Sequence, residues 1–570
     1  MDFNIAASGL SNAQKNIEII SNNIANENTE GYRKQTIHNS EGSSISKGGI
    51  YQGTGVRADG ISQGVDQIIY QNVLSKVGIK TYFDSAVSYS KEIENIFQDN
   101  QTLGVNQDIK DVFSSLNDLK NNTENKALET LVLDKFSKLS TDFNSMISSL
   151  NTNKEIIAND VKRDIGNLNT LLRDLQSAAK SLKSHFAPDV ADQKATLEQK
   201  ISSMIDAKMY YDDNGEYNVL IAGHKILDSF NYRELEFRDN KIYIKDQKIN
   251  ITNELHQGSI GAKTNIALSD KNMIDKQILK LDVLAKGLIT EFNSVFQSNA
   301  FETAISKSFN NDNLQKLAIL DNPELKGINP GNMTFILHNY PDKKTEEFQV
   351  NISHKTTLAD LQLQVDTKSG GKVSLSFSAG KISIYAKGMP IQIKEDTNLN
   401  FSRVLGINSL LKGNNASNIE VNSAYIREPD TFFVENNKLI SNSNYETIDA
   451  LNDLQFKEVN YKEVLKYQDY FNKEYYLNSY TNTTGIENGT FSSFFESITF
   501  SISKTVPNNE QSQALQNNIF EAINKQYEDN VNVDKDEELV KLLEYQAAYA
   551  ANAKVITAMN QMFDTILRMV

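Results

Sequence analysis

The sequence contains no cysteine and no tryptophan among its 570 residues. Without cysteine the chain cannot form disulfides, iron–sulfur clusters, thiolate zinc sites or a thiol nucleophile. Acidic residues outnumber basic ones, 73 to 58, which gives a net charge of −15. Such a balance is unsuited to the phosphate backbone of nucleic acids, so we expect no nucleic-acid partner.

Long apolar runs are also missing. No run approaches the roughly 18–20 apolar residues that span a bilayer, so we expect no membrane insertion. The amino end, MDFNIAASGL, lacks the basic region and apolar stretch of a cleaved signal peptide. This pattern fits a cytoplasmic protein, but it also fits a substrate that is threaded unfolded through a dedicated secretion channel.

The motifs of nucleotide-binding and EF-hand sites are absent from the sequence. It has no phosphate-binding lysine loop and no dinucleotide fingerprint around Gly53 and Gly55. The acidic run that starts at Asp534 has Leu539 and Tyr545 where an EF-hand needs glycine and glutamate. The six histidines show no metal-ligand spacing: His38, His185, His224, His256, His338 and His354. We expect no cofactor, no metal, no catalytic residue and no enzymatic activity.

Proline is rare, with seven residues in all, and none lies in residues 1–187 or 508–570. Both ends of the chain can therefore form long helices. Apolar residues at the amino end alternate in steps of three and four: Phe3, Ala6, Leu10, Ala13, Ile17, Ile20 and Ile24. The carboxyl end repeats this spacing, with polar Asn552 as its interruption: Leu542, Tyr545, Tyr549, Asn552, Ile556, Met559, Phe563, Ile566 and Val570. The two heptad stripes predict helices that pair with each other or pack against other subunits.

The interior alternates between helix and strand. A helical pattern over about residues 66–209 is followed by a hairpin with a predicted type I′ turn at Asn214–Gly215 and a second turn at Asp239–Asn240. Helix resumes near Ser269. Period-two apolar runs then predict a β-rich insertion over residues 301–440, while the tyrosine-rich stretch 461–480 is ambiguous.

These patterns predict a mainly α fold with inserted β structure. The terminal helices form a coiled-coil pair, a long-helix bundle domain carries β-hairpins, and a small β-rich domain is inserted. We expect the terminal domain at 1–45 and 530–570, the helical domain at 46–300 and 441–529, and the β-rich outer domain at 301–440. The predicted assembly interface comprises Phe3, Leu10, Ile17, Ile20, Ile24, Leu542, Tyr549, Ile556, Met559, Phe563 and Ile566.

Short motifs occur at both ends of the chain. The amino end carries Ser8-Gly-Leu-Ser-Asn-Ala-Gln14, Ser21-Asn-Asn-Ile-Ala-Asn26 and Thr29-Glu-Gly-Tyr32. The carboxyl end carries Glu538-Leu-Val540, Tyr549-Ala-Ala-Asn-Ala-Lys-Val555 and Met562-Phe-Asp-Thr-Ile-Leu567. These motifs resemble those of the flagellar axial proteins, the family of rod, hook and hook-associated subunits. The helical interior, with Gly53-Thr-Gly-Val56 and Gly258-Ser-Ile-Gly261, is similar to the hook-associated members of this family.

The resemblance implies a structural subunit of the junction between hook and filament. It implies a secreted protein at the distal, extracellular end of the hook, exported through the flagellar type III apparatus. The implied partners are further copies in a ring, the flagellar hook protein, a second hook-associated junction protein and a cytoplasmic export chaperone that binds the carboxyl-terminal helix. Absence of cysteine would then ensure that no crosslink blocks export.

Three alternatives stay open at the level of sequence. The chain could be another axial protein, either a hook subunit or the second junction protein. It could be an effector or adhesin that uses flagellar export and acts through the β-rich insertion. It could also be a cell-wall hydrolase fused to axial ends, which would require a pair of carboxylates in a cleft.

Overall fold

A computed structural model describes residues 3–29, 31–47, 50–98, 104–123, 125–228, 230–297, 299–309, 314, 317–339, 344–378, 380–396, 399–427, 441–461, 464 and 488–569. The helices are α1 Phe3–Ala25, α2 Gln67–Ile96, α3 Val105–Asn121, α4 Lys126–Ser184, α5 Pro188–Met204, α6 Gly258–Lys263, α7 Met273–Phe296, α8 Leu358–Lys368, α9 Phe401–Leu405, α10 Ser423–Arg427, α11 Ser441–Asp453, α12 Phe491–Val531 and α13 Lys535–Met569. A π-helical turn, Thr264–Leu268, extends α6.

The strands form small antiparallel sheets. They are β1 Gln35–Glu41, β2 Ile45–Lys47, β3 Ile50–Gln52, β4 Val56–Gln63, β5 Ala207–Tyr211, β6 Tyr217–Ile221, β7 His224–Leu227, β8 Leu235–Arg238, β9 Lys241–Ile244, β10 Ile249–Asn250, β11 Thr303–Ile305, β12 Gly331–Asn339, β13 Lys344–Ile352, β14 Val373–Ser378, β15 Lys381–Ala386, β16 Ile391–Glu395, β17 Leu411–Lys412, β18 Glu420–Val421, β19 Val459–Asn460 and β20 Asn488–Gly489. The predicted fold class, mainly helical with inserted β structure and paired terminal helices, is confirmed.

Two compact units divide the chain. The first contains Met1–Ser90, Glu155–Asn272 and Val506–Val570, and the second contains Lys91–Lys154 and Met273–Thr505. Helices α2, α4 and α12 contribute residues to both. The three-domain division expected from the sequence stays a prediction. Among the described helices, none is long and apolar enough to cross a membrane.

A buried carboxylate organises the interior of the first unit. Glu198 on α5, only 3% exposed, accepts hydrogen bonds from the hydroxyls of Tyr70 at 2.8 Å and Tyr217 at 2.6 Å. The ammonium of Lys194 lies 2.6 Å from the same carboxylate. Burial raises the pKa of both tyrosine hydroxyls well above the usual tyrosine value, and the negative charge of Glu198 beside them raises it further. These contacts join α2, α5 and β6, and they supply the partners that a buried carboxylate requires.

Both predicted hairpins of the first unit are present, but one turn type was wrong. At the β5–β6 turn only Gly215 has a positive φ, 74°, and its amide donates to the carbonyl of Asp212 at 2.8 Å. The loop is therefore a type I turn followed by a left-handed glycine, because its length exceeds two residues. The type I′ geometry occurs instead between β8 and β9, where Asp239 and Asn240 have φ of 51° and 57°.

Aromatic packing forms the helical part of the second unit. The ring of Phe292 on α7 lies 4.9 Å from that of Phe136 on α4 and 5.7 Å from that of Phe113 on α3, centroid to centroid. The ring of Phe491, at the start of α12, lies 5.9 Å from that of Phe292 and 6.5 Å from that of Phe113. One side chain from each helix thus meets at a common centre, which fixes the four helices around it.

The β-rich part of the second unit has its own apolar core. The sheets β13-β12-β16 and β11-β15-β14 supply most of it, with α8 packed on β13 and β14. The period-two strands predicted here are confirmed, whereas α8 was not expected. Thr357 caps α8 through a reciprocal pair of hydrogen bonds with Asp360, a signal that the sequence does carry. Most of the ambiguous 461–480 stretch lies outside the described residues.

Candidate assembly interface

The terminal helices α1 and α13 pack side by side in antiparallel orientation. The side-chain amide of Asn23 donates to Glu538 Oε2 at 2.9 Å near one end of the pair. Gly9 lies against Asn552 further along. Gly9 and Asn23 are as far apart in sequence as Glu538 and Asn552, so the two helices keep one register over this length.

The contact face of α1 is made mostly of small and polar residues. Its buried members are Ala6, Ala13, Asn16, Ile20 and Asn23, with Gly9 between the two alanines. Small side chains allow close approach of the two helix backbones. A Cβ atom at Gly9 would lie 2.8 Å from Oδ1 of Asn552 and 2.9 Å from its Nδ2, so the Asn552 amide would have to move. The absence of a side chain at position 9 therefore makes room for the amide at position 552.

A buried hydrogen-bond network closes the end of the pair that lies near Ala25. Asn23 is 1% exposed and donates to the carbonyl of Gln35 at 2.9 Å as well as to Glu538. Its own Oδ1 accepts from the amide of Gln35 at 3.0 Å and from the hydroxyl of Tyr32 at 2.8 Å. One asparagine thus links α1, the chain that follows it and the start of α13, with its donor and acceptor groups satisfied.

Ion pairs reinforce this network. The ammonium of Lys34 lies 2.7 Å from Glu537 and 3.2 Å from buried Glu538, and Lys541 lies 3.0 Å from Glu537. Hydrogen bonds from Lys34 and Lys541 lower the pKa of Glu537 to about 2. Burial alone would lower the pKa of Lys34, but its hydrogen bonds to the two glutamates outweigh burial and raise it. Burial also raises the pKa of Tyr32 to about 12.

The extended connector after α1 folds back onto that helix. The hydroxyl of Ser8 donates to the carbonyl of Ile5 at 2.8 Å and accepts from the amide of Val56 at 3.2 Å. Gly55, with φ of 110°, leaves no room for a Cβ, which would lie 2.0 Å from Ser8 Oγ. Strand β4, paired with β1, is therefore anchored to α1.

The predicted interface residues divide into three groups by exposure. Ile20 and Met559 are buried within the helix pair, at 5% and 6% exposed. Five residues are half-buried at its margins: Leu10, Ile17, Ile24, Leu542 and Ile556. Four are exposed: Phe3 at 45%, Tyr549 at 39%, Phe563 at 58% and Ile566 at 55%. The structure thus brings Ile20 and Met559 into the seam of the pair but leaves the last group on the surface.

The carboxyl end of α13 extends past the described start of α1. Every residue from Asn560 to Met569 is exposed. At 1.5 Å per residue this segment is about 15 Å long. Five large apolar side chains on it are more than half exposed: Met562, Phe563, Ile566, Leu567 and Met569. A contiguous apolar surface of this kind is typical of an interaction site.

Sequence reasoning missed the polar and small members of the contact face. Gly9, Asn16 and Asn23 continue the three-and-four spacing through Ala6, Ala13 and Ile20, but we expected the larger Leu10, Ile17 and Ile24 in their place. The signal that could have found them was the alternation of small residues and asparagine at heptad spacing. Among the described residues, no group of three or more histidine, aspartate or glutamate side chains could hold a metal ion.

Family models match both ends and the helical interior. Residues 3–33 match the flagella basal body rod protein model, and residues 525–569 match the flagellar basal body rod FlgEFG protein C-terminal model. Residues 90–302 match the model of the flagellar hook-associated protein FlgK helical domain. The terminal matches include the whole of α1 and α13.

Full-length relatives agree with these models. The chain is 22% identical to flagellar hook-associated protein 1 of Salmonella typhimurium and 21% identical to that of Escherichia coli, with 99% of each chain covered in both alignments. It is 24% identical to the Bacillus subtilis protein over 38% of this chain and 45% of that protein. A solved structure of the flagellar hook junction protein FlgK from Burkholderia pseudomallei aligns with a TM-score of 0.46 at 10% identity, over 80% of this chain and 99% of that one. The chain is therefore similar to flagellar hook-associated protein 1 over its whole length, and its helical interior matches the FlgK helical domain.

Proposed function

We propose that this chain is a structural subunit of the bacterial flagellum that forms the junction between hook and filament. The observation that carries the proposal is the antiparallel pairing of α1 and α13, together with the apolar segment of α13 that remains exposed beyond the pair. A protein that only folded as a monomer would gain nothing from ten exposed residues at the end of an amphipathic helix. A subunit that assembles gains a surface for its neighbours.

The pairing also explains how such a subunit is built. The polar network around Asn23 fixes the register of the two helices, and the register determines which apolar residues remain outside the pair. Those residues then face other subunits in a ring. The hook protein would contact the ring on one side and a second hook-associated protein on the other.

The same segment supports a role for a chaperone before export. An exposed amphipathic helix is an aggregation hazard before assembly, so a cytoplasmic chaperone that binds α13 would protect it in a helix-in-groove complex. The chain would then leave through the flagellar type III apparatus and reach the distal end of the hook. A chain that ends at Asn532, the residue after α12, retains that helix but lacks α13 and should not bind the chaperone.

The test is electron microscopy of a strain that lacks this protein. Hooks without filaments, restored to full filaments by the wild-type gene, are the expected result. Loss of the hook itself would assign the chain to the hook subunit instead. Intact filaments on intact hooks would overturn the proposal and leave the effector, adhesin and hydrolase alternatives.

A further inference from the structure

The second unit contains a strongly cationic cleft of about 830 Å³. It lies among the second half of α7, the segment after β11, the start of β15, α9 and the β17 turn. Six of its lining residues are cationic: Lys286, Lys307, Lys326, Lys381, Arg403 and Lys412. None of the described residues that line it is aspartate or glutamate. The chain as a whole has a net charge of −15, so the charge of this cleft is opposite in sign to the net charge of the protein.

The charges in the cleft repel one another. Burial lowers the pKa of Lys286, and the positive charges of Arg403 and Lys307 lower it further. Burial likewise lowers the pKa of Lys412, despite attraction from Glu420, which is its partner in the β17–β18 register. Within the described part of the chain, neither Lys286 nor Lys381 forms an ion pair. Like charges gathered in one cleft repel one another, and an anion bound among them would relieve that repulsion.

The remaining wall supplies neutral hydrogen-bonding groups on a fixed frame. Asn293 on α7 donates to the carbonyl of Leu411 at 2.7 Å and accepts from its amide at 2.9 Å, which ties β17 to α7. In the next turn, Asn418 Oδ1 accepts from the amide of Asn414 at 2.8 Å. Gly413 has φ of 99°, and a Cβ there would lie 2.2 Å from the carbonyl oxygen of Asn418. The cleft is therefore held open by specific contacts and not by loose loops.

We propose that this cleft is a binding site for a small, multiply charged oxyanion that carries phosphate or carboxylate groups and no aromatic ring. Several ammonium groups suit several anionic oxygens, and the serine and asparagine side chains suit the uncharged part of such a ligand. Its volume lies within the range of small-molecule pockets. No aromatic side chain is among the described residues that line it, so nothing there would stack on a ring. The proposal does not depend on the function of the terminal helices.

Calorimetric titration of the full-length protein tests the site, with sodium tripolyphosphate as the phosphate probe and citrate as the carboxylate probe. Each titration is compared with sodium chloride at equal ionic strength, which separates binding from screening. Saturable binding of one equivalent of either probe is expected. The arm that binds more tightly identifies the ligand as a phosphate or a carboxylate compound.

Three variants locate the binding. Lys286→Gln, at half-buried position 286, and Lys381→Gln, on the exposed rim, should each weaken binding at least tenfold. Lys355→Gln removes an exposed lysine outside the cleft and should bind as the wild type does. Melting in chloride alone gives a second readout. The Lys286→Gln variant should melt at the same temperature as the wild type or higher, because the substitution relieves repulsion between cations. The rise in Tm that the probe produces in the wild type should be absent in this variant.

Two outcomes would overturn the proposal. The first is a titration in which both probes give only the heat of dilution, which would mean that neither binds. The other is equal binding to the wild type and all variants, which would reduce the effect to general attraction between anions and the surface. Because the titration uses the free protein, its failure would leave the microscopy of hooks and filaments unaffected.

Discussion

Gly9 and Asn552 interlock across the terminal helix pair: the position of the missing Cβ at Gly9 lies 2.8 Å from the amide oxygen of Asn552. The heptad stripe at the carboxyl end is interrupted at Asn552, and the interruption coincides with the one glycine of α1. A polar residue on one helix and a glycine on the other thus form a single contact that specifies how the two helices meet.

We therefore expect Gly9→Ala to loosen the pair by about 1–3 kcal/mol, the usual cost of overpacking a close contact. Hydrogen exchange of α1 and α13 amides measures the change, and Asn552→Ala should restore protection to the Gly9→Ala chain. Gly166→Ala, in α4, is the matched control because nothing lies within 4 Å of its Cβ position. That change should stabilise the helix, since alanine is the better helix former. Equal protection in wild type and Gly9→Ala would contradict the interlock.

Asn23 is the second point that fixes the pair. Asn23→Ala removes the acceptor of the Gln35 amide and of the Tyr32 hydroxyl, and it removes a donor to buried Glu538. Leaving buried polar groups without a partner costs about 1–3 kcal/mol. Thermal unfolding should show this loss for Asn23→Ala, whereas Asn28→Ala, in the exposed turn after α1, should change Tm little. A similar Tm for both variants would show that the network contributes nothing beyond helix packing.

The ion pairs at the same end predict a dependence on pH. The pKa of Glu537 is lowered to about 2, so its contribution to stability is complete above the usual glutamate value and is lost as the pH falls toward 2. The pKa of Lys34 is raised, so its contribution is complete below the usual lysine value and is lost as the pH rises past it. Between these limits the pair is fully formed.

Glu537→Gln measures this contribution by difference. The Tm gap between wild type and Glu537→Gln should be present at neutral pH and should close as the pH falls through the titration of Glu537. Because the Glu537 side chain is 53% exposed, the gap should be small and should shrink in salt of about 1 M. A gap that stays constant down to pH of about 2 would mean that the charge of Glu537 is not its cause.

Particular residues show what the sequence could and could not predict. Apolar spacing correctly placed the terminal helices and the strands of the β-rich part, because periodicity reports which face of an element is buried. It placed three contact positions of α1 correctly, at Ala6, Ala13 and Ile20. The positions between and beyond them were one residue off, since hydrophobic size does not reveal that Gly9, Asn16 and Asn23 face the partner helix. Polar contacts such as Asn23 with Glu538 join residues more than 500 positions apart, and no local pattern specifies them.

The β-rich insertion should be removable. Its apolar core runs from Phe301 to Ile407, and the chain enters and leaves at neighbouring points, since the side-chain amide of Asn408 donates to the carbonyl of Asn299 at 3.0 Å. A variant in which a short glycine–serine linker replaces 301–407 should therefore keep the helices of the second unit folded, as circular dichroism and limited proteolysis would show. It should also restore filaments to the deletion strain. Export of a folded variant without filament attachment would show that the insertion makes an essential contact.

An aspartate introduced into the buried face of the helix pair should cause a different defect from an aspartate introduced at the exposed end of α13. Ile20→Asp places a carboxylate at a position that is 5% exposed. Burying an unpaired charge there costs on the order of several kcal/mol. The free protein should respond by opening the helix pair, seen as lost amide protection in α1 and α13, and it should not assemble. Lys15→Asp, on the exposed side of α1, should keep that protection.

Phe563→Asp separates assembly from folding. Phe563 is 58% exposed in the isolated chain, so the substitution should leave Tm and amide protection of the free protein unchanged. In a ring of subunits the same position is expected to be buried against a neighbour, and the penalty recurs at every copy, so no filament should form. Gln561→Asp, two residues earlier and exposed, adds the same charge on another side of the helix and should still support filaments. Normal filaments with Phe563→Asp would remove the exposed segment from the interface, and a lowered Tm would mean that Phe563 packs within its own chain.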